Sequence, residues 1–221
     1  MSKNVGTINL IFGPSSVGKD TIANILRDRG MNFIYSITSR PMRENESQRN
    51  PYFFVSQDEF LKEIEDGNLI EYREYNTLVD GIPDTWYYGV SKDGVKDEIA
   101  HHVCVLDIHG IREFIKYFSE SKINIFNITA NDSIRLERAK ARGSFNEQEW
   151  QRRLADDTAK FINIDFEKEL QYCVKNYKIH NIVNEGELSD ALDEIYQLVA
   201  EDDSEETEDF IRNWNSNLIN R

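Results

Sequence analysis

Cysteine and proline are scarce in this chain, with two and four among 221 residues. Cys104 and Cys173 stand far apart and in no metal or redox spacing. That excludes a disulfide framework, and the pair is expected to be reduced, structural thiols in a cytoplasmic protein. No apolar run approaches the roughly 18 residues of a membrane helix. The opening MSKNVGT lacks the apolar core of a secretion signal, so no membrane partner is expected. Positive charge is also short: 26 Lys and Arg against 40 Asp and Glu, a net charge of −14. A surface of that sign excludes broad binding to a nucleic-acid polymer. It leaves room for a small anionic ligand wherever the few cations converge. The histidines, at 101, 102, 109 and 180, show no ligand spacing and read as surface or strand-end residues. There is no internal repeat.

What is present is a soluble, globular composition, 39% hydrophobic and 30% charged. Its length suits one domain of generous size. TINLIF (7–12) reads as a short buried strand and TIANILRDRG (21–30) as a helix. Ile22, Ile25 and Leu26 form the apolar face of that helix, and Gly30 is placed to cap its end. FIYSIT (33–38) reads as a second strand. Residues 39–90 change character, being rich in Arg, Glu, Asn and aromatics and holding Pro41, Pro51 and Pro83. They read as an inserted subdomain, with a short helix capped by Ser56 and a loop at NTLVDGIPDT (76–85). The core pattern resumes at HVCVLDI (102–108), an apolar run suited to a buried parallel strand. Helices near 110–120 and 131–142, strands at 123–128 and 179–184, an amphipathic helix from about Glu149 and a last helix at 188–200 follow. Alternating strands and helices imply an α/β fold, a parallel sheet covered on both faces. From Glu201 the dense acidic run EDDSEETED reads as a solvated extension.

The chemistry centres on GPSSVGKDT (13–21), between that first strand and helix. The spacing from Gly13 through Pro14, Ser15, Ser16 and Val17 to Gly18 lets backbone N–H groups turn inward around phosphates. Lys19 then adds a cation, and the next helix its positive end. The plain alternative is a strand-to-helix turn with a surface lysine. Asp20 stands where such loops carry a Mg²⁺-binding hydroxyl. Its carboxylate suits Mg²⁺ and equally suits a helix first turn by the dipole alone; Thr21 is the nearest hydroxyl.

Further cations gather in two places. SITSRPMR (36–43) sets Ser36, Arg40 and Arg43 in a loop stiffened by Pro41, suited to bidentate capture of a phosphate. The alternative is pairing with Glu44 and Glu46. Arg138 and Arg142 share a helical face, and Arg152 and Arg153 follow after the GSFNE break. Folded back, they would supply the positioned charge that phosphoryl transfer needs. The alternative is ion pairing with Glu137, Glu147 and Glu149. LIEY (69–72) and WYYGV (86–90) could read a base edge and a phosphate, or simply pack as an aromatic cluster. Asp107, ending a strand, can meet Mg²⁺ or a substrate hydroxyl.

Taken together, along about 6–198, these segments resemble the guanylate kinase family. GPSSVGKDT is similar to its GPSGxGKST, SITSRPMRENE to SxTTRxPRxGE, and PYFFVSQDEF to DYxFVSxEEF. LIEY with WYYGV is similar to LEW…YYGT, HVCVLDIHG to VLLDIDxQG, and ERAKARG…QRRL to RLxxRG…RRL. The resemblance implies a P-loop NTPase fold with a core over 1–38 and 91–200, an acceptor-binding subdomain over 39–90 and a lid at 138–153. It implies ATP as donor, Mg²⁺ as cofactor, and GMP or dGMP as acceptor, in a monomer or homodimer.

By the same resemblance, Lys19 touches the donor phosphates within an ATP-binding loop running from Gly13 to Thr21. Ser36, Arg40, Arg43, Tyr52 and Tyr88 hold the acceptor phosphate, and Glu71 accepts from the base. Asp107 lies near acceptor and metal, and Arg138, Arg142 and Arg153 clamp the transferring group. Arg152 has no counterpart.

Two departures stand out. Asp20 replaces the metal-binding hydroxyl, and Val90 replaces a hydroxyl that helps read guanine, a loss of about 1–3 kcal/mol if its partner stays buried and unmet. The acceptor loop is longer, at 76–85, and HG at 109–110 is shorter than DxQG. The GKD loop and YYGV also resemble ribose 1,5-bisphosphate phosphokinase, whose acceptor is a phosphorylated sugar. A kinase for another nucleoside monophosphate and a non-catalytic binding module on the same fold are the remaining alternatives.

Overall fold

A computed structural model describes residues 5–42, 46–49, 52–79, 82–95, 101–141, 143 and 145–202. Its centre is a five-stranded parallel sheet. The strands are β1 (Thr7–Phe12), β2 (Asn32–Phe33), β7 (His101–Val105), β8 (Lys122–Thr129) and β9 (Tyr177–Val183), in the order β2-β7-β1-β8-β9. Every residue of β1 is buried, as a strand covered on both faces must be. Ile8, Leu10 and Phe12 point into one core with Ile111, Phe114, Ile115 and Phe118 of α3 (Ile108–Tyr117) and its end. Ile11 points into the other, with Ile22 and Leu26 of α1 (Lys19–Asp28) and Leu192 and Ile195 of α7 (Leu188–Asp202). Truncating a fully buried ring such as Phe114 to Ala costs about 3–5 kcal/mol.

A second sheet of four strands, β4-β3-β6-β5, stands beside the first. It comprises β3 (Ser36–Thr38), β4 (Phe53–Phe54), β5 (Leu69–Val79) and β6 (Ile82–Ser91). Helix α2 (Gln57–Glu65) is locked at its start by the expected Ser56: its Oγ accepts from Glu59 N–H, and the Glu59 carboxylate accepts from Ser56 N–H at 2.7 Å. The remaining helices are α4 (Asp132–Ala141), α5 (Glu147–Asp157) and α6 (Phe166–Glu169).

Three expectations are corrected. Residues 76–79 and 82–85 are not a loop: β5 and β6 pair antiparallel all the way from Glu71↔Val90 to Val79↔Ile82. The Asp80-Gly81 between the arms lies outside the described residues, but that dipeptide is a two-residue hairpin signal, so polar composition misled where cross-strand pairing decides. Residues 33–38 are not one strand: Asn32–Phe33 join the parallel sheet and Ser36–Thr38 the other. The run at 102–108 leaves the sheet early. Asp107 caps α3, its Oδ1 accepting from His109 N–H and Gly110 N–H at 3.1 Å each. A short polar side chain at that point satisfies helix N–H groups that a strand would have paired.

At the end of α1, Gly30 has φ +109° and Met31 N–H reaches Leu26 C=O at 3.1 Å, so the expected glycine ends the helix. The acidic run beyond 202 lies outside the described residues.

Candidate active site

The site forms where the parallel sheet changes direction. The chain leaves β1 toward one edge and β7 toward the other, and these two strands are neighbours. Ligands of open α/β sheets bind beyond the carboxyl ends of such a pair. Gly13–Gly18 follows β1, and Asp107 follows β7.

Backbone geometry shapes the loop. Gly13 has φ +141°, and a Cβ there would lie 2.2 Å from Ile128 C=O. Gly18 has φ +98°, and a Cβ there would meet Asn184 Nδ2 at 2.7 Å. Ser16 is held at φ +62°, a left-handed conformation a serine adopts only under constraint. The constraint is visible in the loop carbonyls. Pro14 C=O accepts from Lys19 Nζ (2.7 Å), Ser15 C=O from Arg135 Nε (2.9 Å), and Val17 C=O from Asn184 Nδ2 (2.8 Å) and Arg138 Nη1 (3.3 Å). With its carbonyls bound by side chains and α1 starting uncapped by any side chain, the loop is suited to an anion on its N–H side.

Two adjoining clefts open from this loop. One, of about 410 Å³, is lined by Lys19, Ser36, Tyr52, Glu71, Arg73, Tyr88 and Asp107 among others. The second, of about 960 Å³, shares Tyr52, Tyr88 and Asp107 and is walled by Ser15, Arg152, Arg153, Asp157 and Lys160. Tyr52 and Tyr88 meet edge to face at 5.7 Å. Burial, with the Asp20 carboxylate nearby, pushes the Tyr52 phenol up to about 12, so it remains a hydrogen-bond donor at neutral pH. Burial likewise raises the Glu71 carboxyl, while Arg73 pulls the other way.

The model of the guanylate kinase family matches residues 6–199. The chain belongs to that family. It is 28% identical to a guanylate kinase of Fusobacterium nucleatum over 89% of this chain and 97% of the relative. It is also 28% identical to one of Synechocystis over 90% and 95%. The crystal structure of guanylate kinase from Anaplasma phagocytophilum superposes with a TM-score of 0.57 at 23% identity, covering 93% of this chain and 90% of that one, which shows a shared fold.

Within this guanylate kinase fold, the residues singled out from sequence are not equally placed. Ser36 lies opposite Val90 across β3 and β6. Arg40 is buried, its charge met by Glu46 at 2.8 and 2.9 Å, and it lies against the rings of Tyr52 and Phe54. The ion-pair alternative therefore describes Arg40 as it stands, although it remains beside the Tyr52–Tyr88 pair. Val90 is fully buried in the core with Val95 and Leu106. Arg153 and Arg152 both hold Glu149, whose carboxyl the Arg152 hydrogen bond, joined by Arg153, lowers to about 2. Arg152 thus shares the cleft wall with Arg153 despite having no counterpart in the resemblance. Arg43 and Arg142 lie outside the described residues.

Asp20 is exposed on the first turn of α1 and lines a small recess of about 50 Å³ with Ser36, Arg49 and Tyr52. Thr21 follows, also exposed. Among the described residues no group of three or more His, Cys, Asp or Glu could hold a metal ion.

Sequence reasoning missed Arg135, Asp157, Lys160, Arg73, His109 and Asn184. Arg135 is buried and ion-paired to Asp157 and, at 2.7 Å, to Asp132, while Asp157 accepts from the loop. The i, i+3 spacing of Arg135 and Arg138 was a signal for the first. Nothing local marks Asp157 or Asn184, whose partners Ser15 and Val17 lie far along the chain; Arg73 stands two residues from Glu71, but its ion pair with Asp107 joins it to another element.

Proposed function

We propose that this protein is an ATP-dependent guanylate kinase that transfers the terminal phosphoryl group of ATP to GMP or dGMP. The observation that carries the reading is a single cleft lined by Lys19 of the phosphate loop together with Ser36, Tyr52, Glu71 and Tyr88. A donor on the loop and an acceptor on the second sheet would there share one space.

In this reading Lys19 and the loop N–H groups bind the donor phosphates. Tyr52, Tyr88 and Ser36 donate to the acceptor phosphate, with Arg40 and Arg43 adding charge. Glu71 accepts from the base. An oxygen of the acceptor phosphate attacks the terminal phosphorus of ATP, the bond from that phosphorus to the bridging oxygen breaks, and ADP leaves. No general base is required, since the nucleophile is already anionic. Rate comes from alignment and from cations on the non-bridging oxygens. Arg138, Arg153 and Arg142 supply these from the 138–153 lid, helped by Lys160 on the cleft wall. Asp20, with Thr21, would hold Mg²⁺, whose charge offsets that of the donor phosphates. The second sheet, within 39–90, acts as the acceptor subdomain, and its closure with the lid excludes water.

A coupled assay with ATP and GMP, dGMP, AMP, UMP or ribose 1,5-bisphosphate tests the reading. Turnover is expected with GMP and dGMP. Turnover with the sugar alone, or the absence of turnover with every acceptor, would overturn it.

A further inference from the structure

Two residues lining the acceptor side of the cleft carry a buried polar atom without a hydrogen bond, Glu71 Oε2 and Arg73 Nε, and a third such atom, His109 Nδ1, lies behind Glu71. Arg73 Nε lies 3.4 Å and His109 Nδ1 3.9 Å from Glu71 Oε2, too far or too poorly aligned to satisfy one another. Leaving a buried polar atom unmet is costly, and a charged one more so. Arg73 is fixed from its far end by an ion pair with Asp107, the cap of α3. Glu71 and Arg73 are two apart on β5, so both side chains leave the same face of the strand, and both line the same cleft. The protein therefore presents a carboxylate acceptor beside an N–H donor, ion-paired at 3.4 Å but not hydrogen-bonded to each other.

We propose that Arg73 is a base-reading residue: its Nε–H donates to the 6-oxo group of guanine while Glu71 accepts from N1–H and the 2-amino group. This deepens the reading that the acceptor carries guanine and rests on it. The match is one of edges. Guanine offers two adjacent donors and then an acceptor, and the Glu71–Arg73 pair offers acceptors and then a donor. An adenine turned the same way sets its 6-amino donor against the Arg73 donor and a lone pair at N1 against the carboxylate. Val90, sunk in the core, offers the base no hydroxyl, and Arg73 supplies a donor from the neighbouring strand β5. A guanidinium is suited to this by its fixed planar geometry. With Nη1 on Asp107, Nε remains for the base.

The test compares kcat/KM for GMP with that for 2-aminopurine riboside monophosphate, which keeps the 2-amino group and lacks both the 6-oxo and N1–H; the loss of N1–H is felt at Glu71 in every form, so the change in preference between wild type and the Arg73 variants reads the 6-oxo contact. Wild type, Arg73→Ala and Arg73→Lys are measured. Wild type is expected to favour GMP, and Arg73→Ala to compress that preference by about tenfold to a hundredfold, the size of one hydrogen bond to a charged group. Arg73→Lys keeps the charge facing Asp107 but not the fork, and is expected to compress it too. It also decides the matter should the alanine variant fail to fold. A preference unchanged in the variants, with both substrates slowed alike, would reduce Arg73 to neutralising its acidic neighbours and overturn the proposal. A wild type that turns over no guanine nucleotide at all would instead remove the guanine reading, and the proposal with it.

Discussion

Asp157, the last residue of α5, accepts from both the backbone N–H (2.9 Å) and the hydroxyl (3.1 Å) of Ser15 in the phosphate loop. Arg135 of α4 joins them, ion-paired to Asp157 and donating to Ser15 C=O. The end of α5 is thereby tied to the phosphate loop. Asp157→Ala removes one partner from a buried pair and leaves Arg135 without part of its compensation. A loss of about 3 kcal/mol is expected, or a fall in melting temperature of roughly 6–12 °C at this chain length. Thermal melts of the variant against wild type read this directly, and an unchanged melting temperature would contradict a stabilising tie.

Lys19 and Arg138 act on the loop from different elements, through Pro14 C=O and Val17 C=O. In the proposed mechanism each also places charge on the phosphates. Lys19→Ala and Arg138→Ala are each expected to lower kcat by roughly 10²–10³, as loss of one preorganised charge contact does. Far-UV circular dichroism should remain that of wild type. Normal turnover in either variant would remove that residue from the mechanism.

Asp20 is exposed beside Lys19 at the start of α1, where a carboxylate serves either Mg²⁺ or the helix dipole. A Mg²⁺ titration of activity separates these roles. Asp20→Ala is expected to need about tenfold more Mg²⁺ than wild type, and Asp20→Ser to recover part of the difference through its hydroxyl. Coincident curves for all three forms would leave only a helix-end contact worth about 0.3–1 kcal/mol.

Glu71 can accept two N–H groups of a base only when ionised, and burial raises its proton affinity above the ordinary 4.5. Acidification therefore protonates it at a higher pH than an exposed glutamate. KM for GMP is expected to climb as pH falls through that raised value, beginning above pH 4.5. The acceptor phosphate also titrates, so Glu71→Gln is the control: it should start with a high KM and lack the glutamate's share of the acid limb. Parallel profiles for the two forms would contradict the assigned role.

Much of the fold was legible in sequence because local patterns reported it. The short, largely apolar run of β1, the Ser56–Glu59 capping box and Gly30 after α1 each depend on neighbours within a few residues. The 76–85 arm was misread for the opposite reason. Its polar residues are held by β5–β6 register rather than by their own preference, and strand propensity follows the partner more than the residue.

The site divides along the same line. By itself the sequence determined a phosphate loop between a strand and a helix, a parallel α/β sheet, and which family motifs stand in what order. Those follow from spacing, composition and backbone sterics. Only the tertiary structure decided that Asp157 closes onto Ser15, that Arg40 is already met by Glu46, that Val90 belongs to the core, and that Arg73 stands between Glu71 and Asp107. Two of these pairs join residues remote in sequence, and Val90 is buried by elements drawn from across the chain. A hydrogen bond or ion pair is set by approach within about 3 Å, and the fold, not the order of residues, brings such groups together.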